Sequence, residues 1–158
     1  MGVKVCDNMK YLNILQQLPY SSPFLFVDQL NHVDENGVEG WYTFPKDAEY
    51  YKGHFKNSPV TPGVLLTECC AQIGLVSLGI HLLTSSNTLD TATMEIALTS
   101  SEMEFYLPVF PNEKVRVISE KKYFRFQKLK CSVKMYNAED KLVCKGTIAG
   151  MFKATAHE

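Results

Sequence analysis

At 158 residues, 46% of them apolar and 21% charged, the chain has the material for one globular domain and little room for two. A net charge of -1 excludes a global electrostatic pull towards nucleic acid or a membrane surface, so any basic docking patch has to be local. No charged stretch leads into an apolar one at the N-terminus, which speaks against a secretory signal. Five cysteines, an odd number without CxxC spacing, are expected to be buried thiols of a reduced, cytoplasmic protein.

In chain order, Tyr11 to Leu18 carries apolar residues at helical spacing and is stopped by Pro19, predicting a short helix. Pro23 opens a strand-like run, PFLFVDQLNHV. Asn36-Gly37 is predicted to form the positive-φ pair of a tight hairpin turn, with Val38 to Phe44 returning as a second strand. Asp47 to Tyr51 suits a helical turn ahead of the loop Lys52-Gly53-His54-Phe55. A long helix is expected next, with Thr61 as N-cap and Pro62 in its first helical position. Its body, Val64 to Leu83, has the length and apolar character to span a bilayer, yet it carries Glu68 and Gln72, and a carboxylate is costly in lipid. A helix apolar nearly all round is also what the centre of a wrapped sheet requires, and we read it so.

Thr84 to Thr93 is polar and predicted to be a loop. Four strand-like segments follow, around Met94 to Leu107, Lys114 to Tyr123, Lys128 to Tyr136 and Leu142 to Phe152. In the third, Leu129, Cys131, Val133 and Met135 alternate with Lys128, Lys130, Ser132 and Lys134, as a sheet with one wet face demands. Asn137 to Lys141 has the composition of a hairpin loop. Runs of strands around one helix predict an α+β fold, an antiparallel sheet curled around a single helix, with residues 1–158 as one domain.

The chemistry concentrates in Tyr51 to Gln72, YKGHFKNSPVTPGVLLTECCAQ. His54 lies in a glycine-preceded loop, and imidazole is suited to taking a proton near neutral pH. Glu68 lies on the apolar helix, where burial favours the protonated carboxyl and so an acid. The helix start at Pro62-Gly63-Val64 has unpaired N–H groups that could hold a carbonyl oxygen as it gains charge. Base, acid and oxyanion donor are the parts needed to abstract a proton beside a carbonyl and expel a β-hydroxyl. Each part also has a structural explanation: a lone loop histidine and a Pro-Gly helix start are more often structural, and a buried glutamate without a partner is functional somewhat more often than such a histidine. His32 reads as a strand-end residue, His81 as a helix-end residue favoured by the dipole, and His157 as tail. Lys121, Lys122, Arg125 and Lys128 read first as a solvated hairpin face, and otherwise as a landing site for an acidic partner.

This stretch resembles the signature of the 3-hydroxyacyl-acyl-carrier-protein dehydratases of fatty-acid synthesis, the FabZ/FabA group with the hotdog fold. Gly53-His54-Phe55, Pro59, Pro62-Gly63-Val64-Leu65, Glu68 and Ala71-Gln72 match in order and spacing. Ile14 to Pro19 and Pro23 to Asp28 resemble the group's opening segment, and Glu102 to Phe105 with Pro108, Val109 and Pro111 its third-strand motif. The resemblance implies that His54 is the base and Glu68 the acid, paired across the subunits of a homodimer or a trimer of dimers. It implies that Gly63 donates its N–H to the thioester carbonyl, with Val64, Tyr51, Phe55 and Gln72 near the substrate and Tyr51 at the mouth of an acyl tunnel. Acyl carrier protein bearing the 3-hydroxyacyl group is the implied partner. No metal or redox cofactor is implied, and no nucleic-acid or membrane partner. Glutamate at position 68 implies simple dehydration rather than dehydration with isomerisation. A hotdog acyl-thioesterase and a non-catalytic acyl-binding subunit are the alternatives. The chain departs from the group's pattern at Tyr20-Ser21, where His-Arg is usual, at Lys56, where proline is usual, and at Asn112-Glu113, where Gly-Asp is usual.

Overall fold

The computed structural model describes residues 2–85 and 94–154, so His157 and nearly all of the Thr84 to Thr93 segment lie outside the described residues. Within them, the strands β1 (Gln29–Val33), β2 (Gly37–Thr43), β3 (Met94–Phe105), β4 (Lys114–Arg125), β5 (Lys128–Tyr136) and β6 (Leu142–Ala154) form one antiparallel sheet in the order β1-β2-β4-β5-β6-β3. Helix α1 (Gly2–Gln17) precedes it and begins well before the predicted Tyr11. It is tied to β1 through Lys10 Nζ, which donates to the Val33 carbonyl at 2.8 Å, and Tyr11 Oη, which accepts from the Val33 N–H at 3.3 Å.

The long apolar segment is the core helix that the sheet wraps. It runs as α2 (Gly63–Ala71), a π turn (Gln72–Val76) and α3 (Ser77–Ser85). Ile73, Leu75, Leu78 and Ile80 are fully buried, each contributing about 1.5–3 kcal/mol by leaving water. They face the strand residues whose alternation the sequence displays: Leu129, Cys131, Val133 and Met135 are all buried. Helix and sheet approach so closely that a Cβ on Gly74 would press on Val133 and Ser119, and one on Gly79 would run into the Phe152 ring. The wide π turn is held on both sides. Ser77 Oγ donates to the Gln72 carbonyl at 2.9 Å, and Ser119 Oγ to the Gly74 carbonyl at 2.8 Å. Cys69, Cys70, Cys131 and Cys144 are buried free thiols, as expected.

Several local expectations are corrected. PFLFVDQLNHV pairs as a strand only from Gln29, because the Phe26 N–H is taken by the Gln72 side chain instead of a neighbouring strand. Gly37 does not adopt positive φ. The turn is closed by Asp34 Oδ1, which accepts from the N–H groups of Asn36 and Gly37, and glycine is needed because a Cβ would collide with the Ser119 carbonyl. Thr61 does not cap the helix: Pro62 takes the N-cap position, helix starts at Gly63, and the Thr61 hydroxyl bonds Tyr51 Oη at 2.6 Å. His81 is half-buried, and burial and then the charge of Lys10 lower its pKa, which works against the favourable dipole interaction expected of a charged imidazole at this helix end. Asn112, where the resemblance expects glycine, has φ 69, a left-handed conformation that asparagine tolerates better than most residues.

Candidate active site

The His54 loop is held by its own backbone. Val60 N–H donates to the His54 carbonyl at 3.0 Å, and the His54 N–H donates to the Tyr50 carbonyl at 3.0 Å. The imidazole Nδ1 lies 2.8 Å from the Val60 carbonyl, an oxygen that can only accept. Nδ1 therefore carries the proton of the neutral ring, and Nε2 presents its lone pair. That is the tautomer a base requires. Phe55, exposed to solvent, stacks on the ring with centroids 4.2 Å apart. Behind the loop, Tyr51 is buried at 5% exposure, and its hydroxyl braces Thr61 just before the helix.

Glu68 sits half-buried on α2, and burial raises its carboxyl pKa while the hydrogen bond from Gln72 pulls the other way. Gln72 is wholly buried and its amide is fully engaged. Its Oε1 accepts from the Phe26 N–H at 2.8 Å, while Nε2 donates to the Phe24 carbonyl and to Glu68 Oε1, each at 3.0 Å. Gln72 thus orients the carboxyl and occupies one of its oxygens, leaving Oε2 without a hydrogen-bond partner among the described residues. The spacing of Glu68 and Gln72, one helical turn apart, could have suggested this pair from sequence. The anchoring carbonyl and N–H of Phe24 and Phe26 could not.

At the start of α2 the N–H groups of Leu65 and Leu66 bond the Pro62 carbonyl, whereas no hydrogen bond among the described residues uses those of Gly63 or Val64. Gly63 borders a depression of about 260 Å³, lined also by Thr61, Leu66 and the Phe105 to Pro108 turn. Val64 is 76% exposed, so no described residue covers this part of the helix end. A larger groove of about 610 Å³ runs between Tyr20 and the ends of β3 and β6, with Ile96, Met151 and Phe152 in its walls. His54 and Glu68 are not joined by any hydrogen bond or ion pair within the chain; each has its separate partners. No group of metal-ligating side chains occurs among the described residues.

Comparison with known proteins bears on the fold and the family. The FabA-like domain family matches residues 18–150. A 3-hydroxyacyl-[acyl-carrier-protein] dehydratase FabZ of Nitratidesulfovibrio vulgaris is 28% identical over 144 residues, 90% of this chain and 86% of that protein. The FabZ of Acinetobacter baylyi is 40% identical over 65 residues, 41% of this chain, and the match spans only 44% of the relative's length. Among solved structures, the dehydratase heterocomplex ApeI:P of Xenorhabdus doucetiae superposes with a TM-score of 0.73 at 12% identity, over 90% of this chain and 91% of that one. A hypothetical thioesterase with coenzyme A from Streptococcus pneumoniae superposes with a TM-score of 0.56 at 13% identity, over 82% and 88%. Both share the sheet wrapped around one helix, which makes this a hotdog fold. With the family's match spanning residues 18–150, well over half of its length, the chain belongs to the FabA-like family.

Proposed function

We propose that the protein dehydrates 3-hydroxyacyl groups on acyl carrier protein to trans-2-enoyl groups, in fatty-acid or related acyl-chain biosynthesis. The observation that carries this reading is Glu68: a carboxyl with raised pKa, one oxygen held by Gln72 and the other without a protein partner among the described residues. His54 Nε2 takes the proton from C2, next to the thioester. The N–H of Gly63, aided by the helix dipole, meets the charge gathering on the thioester oxygen. Glu68 then protonates the 3-hydroxyl, the C3–O bond breaks and water leaves. The reaction is a pair of proton transfers.

The base and acid meet across a homodimer. Supporting this, β3 bonds only to β6, so its other edge is free among the described residues, and Leu98, Phe105, Val64 and Phe55 expose apolar surface. A second copy adding its β3 would cover that edge. The acyl chain runs from the Gly63 depression past Glu68 into the Tyr20 groove, with Val64 and Phe55 beside the thioester. Lys121, Lys122, Arg125 and Lys128 make no ion pair among the described residues and offer the acidic carrier a landing site. The protein works in the cytoplasm.

The test is to incubate the protein with a 3-hydroxyacyl carrier and identify the product. Enoyl thioester supports dehydration. Release of a free thiol would replace this reading with hydrolysis, and tight binding without turnover with an acyl-binding subunit. Mixing His54→Ala with Glu68→Gln subunits tests the dimer: composite sites recover activity that neither variant has alone.

A further inference from the structure

Tyr20 takes the position where the FabZ/FabA pattern usually has histidine. Its ring leans on Phe24, with centroids 6.3 Å apart at 51°. The Phe24 carbonyl accepts from Gln72 Nε2, the same nitrogen that donates to Glu68 Oε1. Tyr20, Phe24, Gln72 and Glu68 therefore form one contiguous set linking the large groove, which Tyr20 lines, to the acid. Burial, and then the charge of Glu68, push the phenol up to about 12, so it remains a protonated donor across the physiological range. No hydrogen bond joins Tyr20 to Glu68. Neither the Tyr20 hydroxyl nor Glu68 Oε2 has a hydrogen-bond partner among the described residues, which leaves both able to bind a third oxygen.

We propose that Tyr20 is a further catalytic residue, whose hydroxyl donates a hydrogen bond to the substrate's 3-hydroxyl oxygen while Glu68 protonates that oxygen. It rests on the dehydratase reading above. As the C3–O bond breaks, its electron pair goes to the departing oxygen, which receives the Glu68 proton and leaves as water. Tyr20 keeps its own proton throughout. Its O–H dipole meets the negative charge that builds on the oxygen before proton transfer is complete. Gln72 does the corresponding work on the Glu68 carboxylate left behind.

Tyr20→Phe removes the hydroxyl and keeps the ring against Phe24 and the groove. The expected result is a fall in kcat/KM for dehydration of about tenfold, the scale of one hydrogen bond to a reacting group. Binding separates a hydroxyl contact from mere support. The probes are the pantetheine amides of a 3-hydroxyacyl group and of the matching saturated acyl group, amides whose weakly acidic C2 protons prevent turnover. Tyr20→Phe is expected to lose affinity for the hydroxylated amide only, and Tyr20→His, which restores a donor, to recover part of it. Equal loss for both amides, or wild-type kcat/KM with wild-type affinities, would overturn the proposal. If the wild type makes no enoyl product but Tyr20→Phe still loses hydroxyl-selective affinity, the dehydratase reading fails and the Tyr20 contact stands.

Discussion

The His54 loop and the Glu68 helix solve the same problem, holding a proton-transfer group in one orientation, by opposite means. His54 sits in a mostly exposed loop and is fixed by a backbone carbonyl, that of Val60. Glu68 sits in the core helix and is fixed by a side chain, Gln72, itself anchored to backbone 46 and 48 residues away in sequence. A backbone clamp tolerates side-chain change. A side-chain clamp makes the acid depend on one further residue, and in return allows that residue to tune the carboxyl.

The sharpest break comes from the reacting groups themselves. His54→Ala and Glu68→Gln should each lower kcat/KM by about a thousandfold or more with folding preserved, as measured by dehydration assays and circular dichroism. Variants that retained activity would remove the contrast altogether. Gln72→Leu comes next. It strands the Phe26 N–H and the Phe24 carbonyl and should cost about 2 kcal/mol of stability in denaturant unfolding, along with a fall in activity of about tenfold or more.

A pH series sharpens the comparison from the stability side. Because burial raises the Glu68 pKa in the folded state, folding binds this proton more tightly than the unfolded chain does. The favourable contribution is present below the ordinary carboxyl value of 4.5 and is lost as pH rises through the raised folded value. Glu68→Gln, which cannot ionise, should therefore gain in Tm relative to wild type as pH climbs through that window. A Tm difference that does not vary with pH would contradict the raised value. The smallest effect belongs to Val60→Ala. The Val60 carbonyl that fixes the imidazole survives the change, so activity should stay within about threefold of wild type and stability within about 1 kcal/mol.

Sequence patterning by itself determined the strand-rich order, the wet and dry faces of β5 and the single apolar helix, since these are written in the spacing of neighbours two to four residues apart. The motif around His54 and Glu68 was equally plain, since its residues lie on one short stretch of chain. Contacts between distant segments decided the rest. Gly37 is glycine because of the Ser119 carbonyl on β4, not for a turn of positive φ. Phe24 and Phe26 leave the strand pattern to hold Gln72, and Thr61 gives up a capping role to brace Tyr51. Local propensities are worth about 1 kcal/mol or less per residue, and a buried polar group left without its partner costs more than that. Where the two conflict, packing across the fold prevails, and no spacing rule along the chain could have foreseen which distant group would supply the partner.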